Sequence, residues 1–256
     1  MRRLFPLPAA EMPVEDVYSI LDWKAVPGRP FVALNMVASV DGRVAIEGSA
    51  RGIGSSVDRA LMMALRANAD AVMFGAGTLR AEGVGKGVPA GWVPRRLARG
   101  LAPQPLLVVL TASGRLPLER SFFADPDRAI VCVARSTPRE AVERLQARAT
   151  VRIAGDDRPD PAEALRILGG EFGVQSVLCE GGPELGHSLL AAGLLDELYL
   201  TLAPKLLGGG GPSLLAGASF APPIALTLRS LHEHEGELFL RYALDRQPPA
   251  GHNMSD

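Results

Sequence analysis

The chain reads as one α/β domain on a mostly parallel central sheet, with helices on both faces and an antiparallel hairpin at the carboxyl end. Three observations predict this. Short apolar runs of buried-strand type alternate with amphipathic, capped helical patterns from residue 31 onward. The connections are short, as turns between strands and helices are. The last two apolar runs alternate in period two around Gly236, the signature of a hairpin rather than another strand–helix unit.

Taken in order, "MRRLFPLPAAEMP" has two arginines but no sustained apolar stretch and several prolines, so it is no signal peptide. Residues 1–29 read as an N-terminal extension. "FVALNMVASVDG" (31–42) opens with a strand. "SSVDRALMMALRANA" (55–69) is helical, with Ser55 as its cap and Val57, Leu61, Ala64 and Leu65 on one face. "DAVMFGAG" (70–77), "PLLVVLTA" (105–112), "RAIVCVA" (128–134) and "VRIAG" (151–155) are strands. "TPRE" (137–140) predicts a capping box on Thr137 and Glu140, and "DPAE" (160–163) repeats the device with Asp160 and Glu163. A helix of "PELGHSLLAAG" type stops at Gly193. "DELYLTLAP" (196–204), "IALTLRSLH" (224–232) and "ELFLRYAL" (237–244) close the sheet. The main domain is expected over 30–246. Residues 81–104, rich in Gly, Pro and Arg, form a loop or a lid, and 247–256 a frayed tail.

Composition narrows function. With 256 residues, 47% hydrophobic and 21% charged, the chain can bury a full core. A net charge of −1 gives no global field for nucleic acid or an anionic membrane, so an anionic ligand must meet a local set of donors. No apolar run is long enough to span a bilayer. Cys132 and Cys179 sit inside strand-like runs and read as buried free thiols in a reducing, cytoplasmic compartment. The four histidines lack metal-ligand spacing and no cysteine cluster exists, so no metal is expected.

The informative stretch is "LCEGGPELG" (178–186). Ligands of open α/β sheets bind beyond the carboxyl ends of strands. Two glycines there admit close approach to the main chain. Pro183 at a first helical position leaves the next amides free for a phosphate. Glu180 at that strand end is poorly explained by packing. "GAGTLRAEG" (75–83) poses the same alternatives, a helix start capped by Thr78 or a nucleotide contact. "VASVDGR" (37–43) sets Ser39 and Asp41 after the first strand, in a turn or a site. "LGGGGP" (207–212) is a flexible turn or a surface for a flat ligand. His187 reads as a helix-face residue.

In order, "NMVASVDGRVA", "ALRANADAVMFGAGTLRAEG", "LLVVLTASGRLP", "LCEGGPELGHSLL" and "DELYLTLAPKLLGGGGPSLL" resemble the riboflavin-biosynthesis pyrimidine reductases, over roughly residues 30–245. The resemblance implies a dihydrofolate-reductase-like fold. It implies NADPH-dependent reduction of a phosphorylated ribosylaminopyrimidine to its ribitylamino form, with hydride going to C1′ of the open-chain imine. It also implies a homodimer. The deaminase signature found ahead of many relatives is absent, so the chain resembles the reductase alone. Carried across, Arg66, Glu180 and, as a stand-in, Ser49 hold the substrate. Val37, Ala38, Gly75, Thr78, Glu82, Ser113, Gly181, Gly182, Pro183, Glu184 and Leu185 border the cofactor, and the run from Gly182 to Ser188 matches the loop around its phosphates. Glu180 is the first catalytic candidate and Asp41 the second, for proton traffic or loop anchoring. Glu82 stands where relatives often carry Asp. The substrate phosphate falls to Lys86, Arg95 or Arg96. Ser113 and Arg115 either read the adenosine 2′-phosphate or form an ordinary polar turn. Two alternatives stand beside this reading: a related reductase of another pterin- or pyrimidine-like substrate, dihydrofolate included, and a non-catalytic nucleotide-binding protein of the same fold.

Overall fold

Alternating apolar strands and capped helices assemble, in the computed structural model, around the strand β3 (Phe31–Ser39); residues 1–82 and 87–244 are described. In chain order, β1 (Arg2–Phe5) and β2 (Ala10–Glu11) precede β3. Then come α1 (Ser56–Asn68), β4 (Ala71–Gly75), α2 (Ala76–Glu82), α3 (Val93–Ala98), β5 (Leu106–Thr111), β6 (Ala129–Val133) and α4 (Arg139–Gln146). After these follow β7 (Thr150–Ile153), α5 (Pro161–Phe172), β8 (Ser176–Cys179), α6 (Pro183–Ala191), β9 (Glu197–Ala203), β10 (Leu226–His234) and β11 (Glu237–Leu244). The described strands form one sheet in the order β2-β1-β10-β11-β9-β3-β8-β4-β5-β6-β7. From β9 through β7 every pairing is parallel; from β9 outward to β2 every pairing is antiparallel. The mixed sheet is the predicted one.

Period-two alternation divides the core. On one face, Val32, Leu34, Met36 and Ala38 of β3 join Met73, Val108, Cys132 and Cys179 beneath α5 and α6. On the other, Ala33, Leu178 and Tyr199 pack under Leu61, Ala64 and Leu65 of α1. Val72, Phe74, Val109 and Val131 pack under Leu79 of α2 and Leu145 of α4. Both cysteines are free and buried, and burial pushes each thiol up to about 12.

Local signals were kept where the side chain had no better partner. Ser55 accepts from the amides of Val57 and Asp58, and Asp160 from that of Ala162. Thr137 does not cap. Its hydroxyl donates to the Ala112 carbonyl and accepts from the Ala134 amide, pinning the β5 turn to β6, so α4 starts one residue past Pro138 without a side-chain cap. Nor does Thr78 cap: α2 begins directly at Ala76, and Thr78 lies inside it. The 81–104 segment is not all loop. Its α3 is anchored by Arg96, whose guanidinium donates to the carbonyls of Arg66, Ala67 and Ala69 at the end of α1. The N-terminal extension is part of the fold, since β1 pairs with β10 and Val17, Tyr18, Leu21 and Trp23 are buried. The expected frayed tail lies outside the described residues.

Candidate active site

The glycine turns that end β4 and β8 meet. Gly75 donates its amide to the Gly181 carbonyl at 2.8 Å, and Glu180 donates its own to Met73 at 3.0 Å. A Cβ on Gly75 would stand 3.5 Å from the Gly182 amide nitrogen, so the two backbones are in contact. Gly181 has φ +83°, and a Cβ there would come 3.0 Å from Met36 Sδ. Only glycine fits that combination. The Gly181–Gly182 peptide is cis. Thr78 faces this turn from α2: a Cβ on Gly182 would lie 3.2 Å from its hydroxyl. α6 starts here with Gly182 as N-cap and Pro183 in the first turn, leaving its leading amides toward the glycines.

Beside this turn the sheet's α1 face opens. β8 stops at Cys179, level with Leu34, while β3 runs on to Ser39. Asn35 and Val37, on the same face as buried Ala33, are therefore only half-buried. Asn35 makes no side-chain hydrogen bond among the described residues. Arg66 lies buried in the last turns of α1, beside this floor. Arg66 binds Glu180 in bidentate fashion, Nε to Oε1 and Nη2 to Oε2, both at 2.6 Å, with each side chain 7% exposed. Its Nη1 donates to the Gly87 carbonyl, and its guanidinium lies over Phe74. Burial alone would lower the Arg66 pKa; the Glu180 charge and hydrogen bonds overcome this and hold it above its ordinary value. At the α1 amino end, burial raises the Asp58 carboxyl to about 6.

The other sequence candidates fall into two groups. Ser49 and Glu82 come together: the Ser49 hydroxyl and the Ala50 amide donate to the Glu82 carboxylate at 3.1 and 2.6 Å, tying the 46–51 turn to the end of α2. Asp41 stands apart as an anchor. It accepts from Ser39 at 2.6 Å and from the amides of Leu207 and Gly208 at 3.1 and 2.6 Å. Those bonds, Ser39 first, hold its carboxyl down at about 2, which favours loop anchoring over proton traffic. Ala38 is buried and Val37 is half-buried. Pro183, Glu184 and Leu185 occupy the first turn of α6, and Ser188 bonds back to the Glu184 carbonyl. Ser113 and Arg115 are exposed in the turn after β5, joined by the Arg115 amide to the Ser113 hydroxyl. His187 is a helix-face residue, bonded to the Ala218 carbonyl and stacked on Phe220.

Of the phosphate candidates, Arg96 is corrected by its burial: it is fully enclosed and spent on the helix-end carbonyls. Arg95 is exposed over the Trp92 ring, 5.0 Å from its centroid, and Lys86 lies outside the described residues. Sequence reasoning missed Asn35 as a cleft residue. The available signal was an Asn interrupting "VALNMVA" on an inward-facing register. Among the described residues no group of side chains suits a metal, and no helix is long and apolar enough to cross a membrane. A surface hollow of about 490 Å³ lined by Phe31, Asp196, Glu197, Arg229 and Arg241 lies at the opposite, amino end of β3. Strand starts are not where such sheets hold ligands, and its Asp196 and Glu197 are neutralised by Arg29 and Arg241.

The 2,5-diamino-6-ribosylamino-4(3H)-pyrimidinone 5′-phosphate reductase of Archaeoglobus fulgidus is 33% identical over 195 residues, covering 75% of this chain and 89% of that protein. The protein of the same name from Methanothermobacter thermautotrophicus is 29% identical, over 84% of this chain and 99% of its own length. Among solved structures, a pyrimidine reductase-like protein from Corynebacterium diphtheriae superposes with a TM-score of 0.76 at 23% identity, over 92% of this chain and 96% of that one, and shows the shared fold. Residues 30–238 match the model of the RibD C-terminal domain, and the chain belongs to that family.

Proposed function

We propose that this protein is an NADPH-dependent reductase that converts the ribosylamino group of a 5′-phosphorylated aminopyrimidine to a ribitylamino group in riboflavin biosynthesis. Family membership and the names of its relatives support the reaction class. The observation that carries the reading is the buried Arg66–Glu180 pair on the open floor of the α1 face, immediately beside the Gly181–Gly182 turn.

The residues fit the cofactor. A side chain at Gly181 would collide with Met36, so bare main chain is what a ligand meets there, and the leading amides of α6 suit a phosphate. Thr78, Val37 and Ala38 border the same place, and Glu82 and Ser49 fix the turn above it. When bound, NADPH supplies the hydride. The chain supplies position: a rigid ion pair and the free carboxamide of Asn35 offer donors and acceptors to a flat heterocycle, and fixing its orientation contributes much of the rate. Of the candidates for the substrate phosphate, Arg95 is the one that is exposed among the described residues. Ser113 and Arg115 are the polar groups that would meet an adenosine phosphate. A cytoplasmic location and a homodimer belong to the same proposal.

The test is anaerobic assay of purified protein with the diamino and the deaminated ribosylaminopyrimidine phosphates, each with NADPH and NADH. Turnover of one of them with NADPH is expected, and no turnover of either would sink the reading. Glu180→Gln should lower kcat/KM at least tenfold, because the neutral amide leaves Arg66 without its counter-charge. Unchanged turnover and affinity would remove Glu180 from its role.

A further inference from the structure

We propose that Gln104 is a positioning residue of the site: through the main chain of residues 87 and 88 it fixes the direction of Arg66. What Arg66 then holds rests on the reductase reading above. A bidentate pair sets a guanidinium edge-on to its carboxylate but leaves it free to tilt about that shared edge. A further acceptor, off the edge, fixes its plane. Arg66 has one: Nη1 donates to the Gly87 carbonyl at 3.2 Å, while Nε and Nη2 are held by Glu180. Of the five N–H groups of a guanidinium these bonds spend three, and the others are left for a ligand.

Gln104 is what holds Gly87 in place. Its side-chain amide pairs with both main-chain groups of Val88, accepting from the amide at 2.8 Å and donating to the carbonyl at 2.9 Å, as a neighbouring strand would. Gly87 and Val88 are buried, so their polar groups need partners within the protein. The fit decides the residue at 87. Its φ is +81°, and a Cβ there would collide with Gln104 Oε1, so only glycine meets both demands.

The base of Gln104 is itself stiff. It stands between Pro103 and Pro105 at the entry to β5, where the following proline keeps its backbone extended. The Pro105 carbonyl accepts from Arg128 Nη1 at 3.0 Å, and Arg128 is held in turn by Asp125. From α3, Arg96 donates to the main-chain carbonyl of Arg66. The 87–104 stretch therefore grips Arg66 twice, at its backbone and at its guanidinium. Arg96 is fully buried, so its loss would unsettle the end of α1. Gln104 is half-buried and belongs to none of the three cores, so it is the link that can be cut without opening one.

The experiment has two readouts. In the ligand-free protein, nitrogen–proton NMR follows the Arg66 Nε–H signal, identified by its loss in Arg66→Lys; it should exchange slowly with solvent in the wild type. Gln104→Met keeps the length of the side chain without its hydrogen bonds and should speed that exchange roughly tenfold. In the reductase assay the same variant should raise KM for the pyrimidine on the order of tenfold, with kcat within a few-fold and KM for NADPH unchanged. Gln104→Glu still accepts from the Val88 amide but has nothing to donate to its carbonyl, and should fall between the two on both readouts. A Gln104 that only braces the fold predicts a lower melting temperature with the Arg66 signal and the pyrimidine KM of the wild type, and that result overturns the proposal. If Gln104→Met does not fold, Gln104→Glu decides by the same two readouts. A wild type that reduces neither pyrimidine removes the reductase reading, and the Arg66 signal then still decides whether Gln104 positions it.

Discussion

Two acidic residues on one face of the sheet are handled in opposite ways. Glu180 is buried with a partner of matching geometry and fixes Arg66 through two hydrogen bonds. Such a pair is poor evidence for stability, because removing two charges from water offsets most of their attraction; its value here is orientation. Asp58 is withdrawn from water by burial, and its carboxyl rises from 3.8 to about 6. The raised value has a consequence for stability. Below about pH 4 the group is protonated both folded and unfolded, and its contribution is fully present. As pH rises through 6 the unfolded chain ionises more easily and that contribution is lost. The difference is roughly 2–3 kcal/mol for a shift of this size. Asp58→Asn cannot ionise, so its urea-derived stability should exceed that of the wild type by about 2 kcal/mol at pH 8 and match it at pH 4. Equal stabilities at pH 8 would show that the carboxyl is not withdrawn from water in this way.

At the scale of elements, signals that depend on neighbours in sequence were legible and those that depend on neighbours in space were not. Ser55 and Asp160 cap as their patterns demand, and Gly193 and Gly236 adopt the left-handed turns expected of them, at φ +64° and +81°. Thr137 reads as a cap but found the Ala112 carbonyl just past β5, a partner 25 residues away. The same limit applied to the site. Glu180 and the Gly-Gly step stood out because a carboxyl at a strand end has no packing rationale. Asp58 carries no signal in the sequence beyond that of a first-turn acid of α1, since its burial is set only by folding. Asp41 is the converse case, a conspicuous motif residue whose carboxylate organises the glycine-rich stretch after β9. Without Asp41 the amides of Leu207 and Gly208 lose their acceptor. Asp41→Ala should therefore speed hydrogen exchange at those two amides at least tenfold and leave the β3 amides unchanged. Unaltered exchange there would mean that the stretch is held by other bonds, such as that of Arg43 to the Gly211 carbonyl.

On the scale of the whole molecule, the sheet is covered unevenly. The parallel half carries helices on both faces, as buried parallel strands require. The antiparallel half is sealed on the α1 face by the N-terminal segment, where Tyr18 and Trp23 pack edge-on to Tyr199 and Trp23 donates to Glu197. That contribution was illegible in "MRRLFPLPAAEMP", whose prolines hide a strand that exists only because β10 offers an edge. On the opposite face, leucines line up across the strands. Leu200, Leu240 and Leu231 pair in register from β9 through β11 to β10, and Phe5 of β1 continues the row. Leu202 pairs with Leu238 beside it, and Tyr242 with Leu228. Leu228, Leu231, Leu238 and Leu240 belong to none of the three buried cores and remain half-buried. A contiguous apolar surface of this kind favours a self-complementary contact. The proposed homodimer would cover it, with the Arg2–Glu233 ion pair at its rim. Leu240 lies at the centre of the row, so Leu240→Glu would place a charge where two copies meet without opening a core. Sedimentation equilibrium should find the wild type dimeric and the variant at least tenfold weaker in association, with its circular dichroism unchanged. A wild type that sediments as a monomer, or a variant that dimerises equally well, would assign those leucines to another role.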